Sequence, residues 1–107
     1  MKEIVLSTEN FDTIISNPDI PVTLVDFWAP WCGPCKMMGP IVESLAEKMT
    51  DVQVGTLNVD EYSEIAQKYN ILSIPTFMIF KNGNIIDQFS GTMPVDVLEN
   101  RVRQHLG

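Results

Sequence analysis

The sequence predicts an α/β sandwich, a five-stranded mixed sheet with helices on both faces. Three observations lead there. Apolar periodicity switches repeatedly between the strand and helix periods along the chain. Residues 22–29, "VTLVDFWA", are nearly continuously apolar and rich in β-branched and aromatic types, as befits a central strand covered on both sides. Near the other end, Asn82-Gly83 separates two short apolar runs, the strongest local signal for a hairpin. At 107 residues the chain suits a single domain spanning 1–107, large enough to bury a core without staples.

The elements follow in order. "EIVL", residues 3–6, is a short first strand. Ser7 or Thr8 can cap a helix whose Phe11, Ile14 and Ile15 share a face, and Asn17-Pro18-Asp19 with Pro21 ends it. After the strand at 22–29, apolar Met38, Ile41, Val42, Leu45, Ala46 and Met49 recur at helical spacing through 34–49. Glu43, Ser44, Glu47 and Lys48 take the opposite face. Gly39-Pro40 lies inside that pattern and predicts a kink without a break. "VQVGTLNV", 52–59, is the next strand, and Tyr62, Ile65, Ala66 and Tyr69 mark a short helix. "TFMIF", "KNGN" and "IIDQF" form the hairpin. Pro94 opens a last helix with Val95, Leu98, Val102 and Leu106 inward. The succession is βαβαβαββα, with no internal repeat, linker or low-complexity segment.

Composition narrows the function. Apolar residues make up 45% and charged residues 20%, ordinary for a soluble fold. A net charge of −7, with the seven Lys and Arg scattered, argues against nucleic acid and anionic membranes as partners. The N-terminal apolar run is too short for a signal-peptide core, and no stretch reaches the length of a membrane span. The expectation is a soluble, cytoplasmic chain, where a purely structural disulfide is disfavoured.

The only two cysteines, Cys32 and Cys35, stand three positions apart in "FWAPWCGPCKMM". A metal site, a structural staple and a redox pair compete. A structural zinc needs four ligands, and the chain offers two cysteines and His105, so only a metal shared between two chains remains. His105 falls in the last helical turn, where a surface cation suits the helix end. A c-type haem would need histidine at the position of Lys36. The cysteines lie beyond the carboxyl end of a central strand and at the start of a helix, where open α/β sheets carry their sites. There, unpaired N–H groups and the helix dipole favour thiolate over thiol. Residues i and i+3 of a helical turn also lie within disulfide reach, so such a pair can close and reopen with little backbone movement. A redox pair is the favoured reading, ahead of a staple.

"WCGPC" after "VDFWA", "SIPT" some forty residues on, "KNG" in a hairpin and a late "SGT" together resemble the thioredoxin family across essentially the whole chain. The resemblance implies a thioredoxin-like sandwich and a thiol–disulfide oxidoreductase that mainly reduces protein disulfides. It implies that Cys32, as an exposed nucleophile, attacks a client disulfide and that Cys35, one turn deeper, resolves the mixed disulfide. Gly33-Pro34 matches the dipeptide of the reducing members. Trp31 resembles part of a flat surface beside the nucleophile. Ser73, Ile74, Pro75 and Thr76 resemble the loop facing the cysteines, with Pro75 cis, and Gly91 completes a groove for an extended client segment. Ser73 and Ser90 depart from the glycine and the apolar residue common there, which touches substrate preference.

The resemblance also implies an electron donor, a thioredoxin reductase that is usually NADPH-linked, and several disulfide-containing clients. No bound cofactor is implied, since electrons pass through the dithiol itself, and the chain is expected to be a monomer. An oxidase or isomerase on the same fold, and a non-catalytic binding subunit, are the alternatives.

Asp26 interrupts the apolar strand, where a carboxylate loses its hydration unless paired. It can bond a backbone group or water at the strand end. The stronger reading is a carboxyl of raised pKa beneath Cys35 that takes its proton, a role the family supports. Thr56 stands where many thioredoxins have a lysine near this aspartate, and its hydroxyl can offer only a hydrogen bond. Trp28 reads as a core aromatic first, the methionines as mostly gap fillers with Met37 alone a candidate partner contact, Lys36 as a solvated charge near Cys32, and Glu64 with Lys68 as an i,i+4 surface pair.

Overall fold

A computed structural model describes residues 2–106. The chain runs β1 (Ile4–Val5), α1 (Phe11–Ile15), β2 (Val22–Trp28), α2 (Gly33–Lys48), β3 (Gln53–Asn58), α3 (Ser63–Lys68), β4 (Thr76–Lys81), β5 (Asn84–Ser90) and α4 (Val95–Arg103). The predicted succession holds. The strands form one sheet in the order β1-β3-β2-β4-β5. β1 and β2 run parallel to β3, while β4 runs antiparallel to both β2 and β5. Parallel neighbours need a crossover, which α2 supplies between β2 and β3; β4 and β5 need only a tight turn. In that turn Asn82 and Gly83 have φ of 53° and 83°, the left-handed pair that a hairpin of this hand demands.

The pleat sorts the side chains of β2 to two cores. Val22 and Leu24 join Val54, Phe77 and Ile79 under Met38, Val42 and Leu45 of α2 and Leu98 and Val102 of α4. Val25 and Phe27 join Leu57, Met78 and Phe80 under Phe11 and Ile15 of α1 and Ile65 of α3. Both faces of the central strand are thus sealed. Asp26, two residues from Leu24, belongs to the α2 face. On the other face Gly55 is closed over: a Cβ there would stand 2.6 Å from Cδ1 of the fully buried Leu6.

Several local expectations change. The first strand covers two residues at the sheet edge, paired with β3; Leu6 still donates its N–H to Thr56 O at 2.9 Å. Neither Ser7 nor Thr8 is the N-cap of α1. Asn10 holds that place without a side-chain cap bond, because its Oδ1 accepts from Ser7 N at 2.7 Å and its amide donates to Val5 O. α2 continues through Pro40, whose missing N–H leaves the Lys36 carbonyl without its usual partner. Pro94 is the N-cap of α4, in extended conformation, and so precedes the first helical position. Lys68 stands 4.0 Å from Asp12 and forms no ion pair with Glu64. His105 does not act on the helix end as a free cation: its Nε2 lies 2.9 Å from Asp87 Oδ2, and Arg101 grips the same carboxylate at 2.7 and 2.8 Å. Among the described residues no helix is long and apolar enough to cross a membrane.

Candidate active site

β2 delivers the chain to the site and α2 leads it away. Cys32 is the N-cap of α2, with extended φ and ψ, and its Sγ accepts the N–H of Cys35 at 3.2 Å. Pro34 sits in the first helical positions, where a missing N–H costs nothing. The cysteines are joined as a disulfide, with their Cα atoms 5.2 Å apart. A helix N-terminus and a backbone N–H aimed at a sulfur are the surroundings that favour thiolate over thiol in general. Both cysteines are 5% exposed, so the expected contrast between an exposed Cys32 and a deeper Cys35 is absent from the closed pair. Once bonded, each sulfur shields the other, and Trp28, Ala29, Val59 and Ile74 surround them. Trp28 therefore belongs to the redox site and not to either sheet core.

What distinguishes the two cysteines is their surroundings. Cys32 Sγ lies 3.8 Å from the carbonyl oxygen of Ile74. The Ile74–Pro75 bond is cis, and the N–H of Gly91, at φ 96°, donates to Pro75 O at 3.0 Å. Ile74 thus stands against Cys32, the cis bond sets Pro75 next to it, and Gly91 is tied to Pro75. Gly33 and Pro34 are exposed, and a Cβ on Gly33 would meet nothing within 4 Å. Trp31 is 68% exposed, its ring held by a hydrogen bond from Nε1 to Asp60 Oδ2 at 2.7 Å. Met37 and Leu72 are also exposed. Trp31 and Leu72 line one cleft with Ser73 and Ile74. Ser73 and Ser90 both line a neighbouring one, with Leu72, Thr76, Gln88 and Phe89.

Cys35 also lines an open cavity of about 380 Å³, with Glu3, Trp28, Lys36, Glu43 and Thr56. Thr56 is the register partner of Asp26 on β3. Asp26 is 4% exposed, and no protein donor reaches its Oδ1, the Thr56 hydroxyl included. Burial pushes the Asp26 carboxyl up to about 7, and the negative charge of Glu3 adds to the effect. Glu3 is itself raised, first by burial and then by the charge of Glu43. Glu3, Glu43, Val59 and Asp60 carry no local signature in the sequence. Glu3 reaches the site through strand register, Val59 and Asp60 through loop packing, and Glu43 through its place on α2, two turns beyond Cys35. Among the described residues no three His, Cys, Asp or Glu side chains cluster as metal ligands would.

A thioredoxin family model matches residues 2–104. A thioredoxin of Chlorobaculum thiosulfatiphilum is 45% identical over 100 residues, covering 92% of this chain and 92% of that protein. One from Chlamydia pneumoniae is 42% identical, covering 94% of this chain and 96% of the other. Among solved structures, a mutant thioredoxin from Halobacterium salinarum superposes with a TM-score of 0.89 at 33% identity, covering 99% of this chain and 92% of that one. Plasmodium falciparum thioredoxin does so with a TM-score of 0.86 at 36% identity, covering 95% and 98%. With the sheet topology and the bridged Cys32–Cys35 pair at the head of α2, these matches place the chain in the thioredoxin family, and it is a thiol–disulfide oxidoreductase that reduces protein disulfides.

Proposed function

We propose that Cys32 is the nucleophile, Cys35 the resolving thiol and Asp26 the proton acceptor of Cys35. As thiolate, Cys32 attacks one sulfur of a client disulfide; a Cys32–client S–S bond forms and the client's second sulfur leaves as thiolate. Cys35 gives its proton to Asp26 and attacks Cys32 Sγ. The mixed disulfide breaks, the client's first sulfur leaves as thiolate, the Cys32–Cys35 bond forms, and two electrons have passed to the client. The observation that carries this assignment is the asymmetry of the two sulfurs: Cys32 lies at the Ile74 carbonyl beside Pro75, while Cys35 opens onto the cavity behind it. An extended client segment pairs with the backbone around Ile74 and Pro75, flanked by Trp31, Gly33, Pro34 and Gly91. The exposed apolar faces of Trp31 and Met37 suit such contact.

The reading extends to the chain's setting. Residues 1–107 act as one domain and as a monomer in the cytoplasm, with no bound cofactor. An NADPH-linked thioredoxin reductase reopens the disulfide, and disulfide-containing proteins are the clients.

Alkylation tests the roles. In the reduced protein at neutral pH, iodoacetamide modifies Cys32 well before Cys35. Cys35→Ser accumulates mixed disulfides with clients, and Cys32→Ser traps none. Equal alkylation rates at the two positions would sink the assignment.

A further inference from the structure

We propose that Glu3 is a positioning residue of the redox centre: from the cavity behind Cys35, its carboxylate sets how readily Asp26 takes and releases the proton of Cys35. The inference rests on the reading of Asp26 as proton acceptor. Geometry supports it in two ways.

The first is register. β1 pairs Ile4 with Gly55 and Val5 with Thr56, and Ile4 packs into the core on the α1 and α3 side. The alternation of strand side chains turns Glu3 to the opposite face, the one that carries Thr56 and Asp26. The second is the cavity. Glu3, Cys35 and Thr56 line the same space, and Asp26, register partner of Thr56, holds an oxygen that no protein donor satisfies.

The charges around this space are few. α2 contributes Lys36 and Glu43, both exposed, and β3 contributes the neutral Thr56. Phe77, the partner of Asp26 on β4, is apolar. Of the charges on α4, Glu99 pairs with Lys48 and Arg103, Arg101 pairs with Asp87, and Asp96 is exposed. On its outer side Glu3 shares a second pocket with Lys2, Glu43 and Glu47. Glu3 is the half-buried carboxylate of the group, and its charge acts on Asp26 with less screening than that of the exposed residues. A negative neighbour makes Asp26 a stronger base. Proton transfer from a thiol is most efficient when donor and acceptor are close in proton affinity. Glu3 thus moves Asp26 toward the thiol it serves.

The test is the carboxyl-carbon NMR titration of Asp26 in the full-length oxidised chain, where the bridged cysteines carry no titrating proton. Glu3→Gln lowers the Asp26 midpoint by about half a pH unit, the effect of one charge acting through partly solvated protein. Glu3→Asp keeps the charge and holds the midpoint. Glu47→Gln, which removes a charge outside the cavity, leaves it unmoved. In the reduced protein, the acid limb of the rate of mixed-disulfide resolution shifts down with Glu3→Gln and not with Glu47→Gln. An Asp26 midpoint that is elevated in the wild type but unchanged in Glu3→Gln overturns the role of Glu3 and leaves Asp26 as acceptor. Equal shifts in Glu3→Gln and Glu47→Gln also overturn it, since they reduce the effect to net charge. A wild-type Asp26 that titrates near the ordinary value of about 4 overturns the Asp26 reading itself, and with it this proposal.

Discussion

Replacing Asp26 with alanine should stabilise the fold at neutral and alkaline pH and destabilise it in acid. Burial raises the carboxyl from 3.8 to about 7, so in the window between those values the native state holds a proton that the unfolded chain has lost. Stability therefore falls as pH rises from the unfolded value through the folded one. Below the unfolded value Asp26 is neutral in both states and contributes no electrostatic cost. Each pH unit of separation is worth about 1.4 kcal/mol, which puts the cost of ionising Asp26 in the fold on the order of 4 kcal/mol by about pH 8. Truncation to alanine removes that cost and leaves a small void, worth about 1 kcal/mol in the opposite sense. The variant should thus be about 3 kcal/mol more stable than the wild type near pH 8 and about 1 kcal/mol less stable near pH 3. Urea unfolding of the oxidised proteins across this range is the assay, with an unchanged denaturant slope showing that the denatured states match. A stability difference that stays flat from about pH 4 to about pH 8 would refute the reasoning, because no proton would then be linked to folding at this position.

Two further substitutions probe the frame that holds the site. Gly55→Ala drives a methyl against Leu6, which is sealed in the core and has no space to retreat, so it should cost about 1–3 kcal/mol in equilibrium unfolding. Asp87→Asn takes the acceptor from Arg101 and His105 beside the sheet edge and should cost about 1–3 kcal/mol at neutral pH. The Arg101 and His105 contacts hold the Asp87 carboxyl well below the usual carboxylate range, so its contribution is present above the unfolded pKa and fades only as pH falls through the folded one. Unfolding of this pair of proteins at neutral and strongly acidic pH should show the difference shrinking in acid.

Much of the molecule was legible in the chain itself. The type of each element followed from apolar period, because strands and helices repeat over two and 3.6 residues and declare themselves within one short window. The hairpin followed from Asn82-Gly83, whose positive φ angles suit only residues that tolerate them. The cysteines followed too, since a pair three apart at a strand-to-helix junction meets the helix dipole whatever the rest of the fold does. Asp26 announced itself as one carboxylate in an apolar run. What tertiary structure alone decided is everything that depends on which strand lies beside which. The order β1-β3-β2-β4-β5 puts Thr56 beside Asp26 and leaves Oδ1 without a donor. It brings Glu3 and Glu43, forty positions apart, to one cavity with Cys35. Loop packing brings Asp60 to Trp31, and α4 brings His105 and Arg101 to Asp87. These contacts join residues 14 or more positions apart. Local periodicity carries no information about them, because they arise only when hydrophobic burial on both faces of the sheet selects one packing of the whole chain.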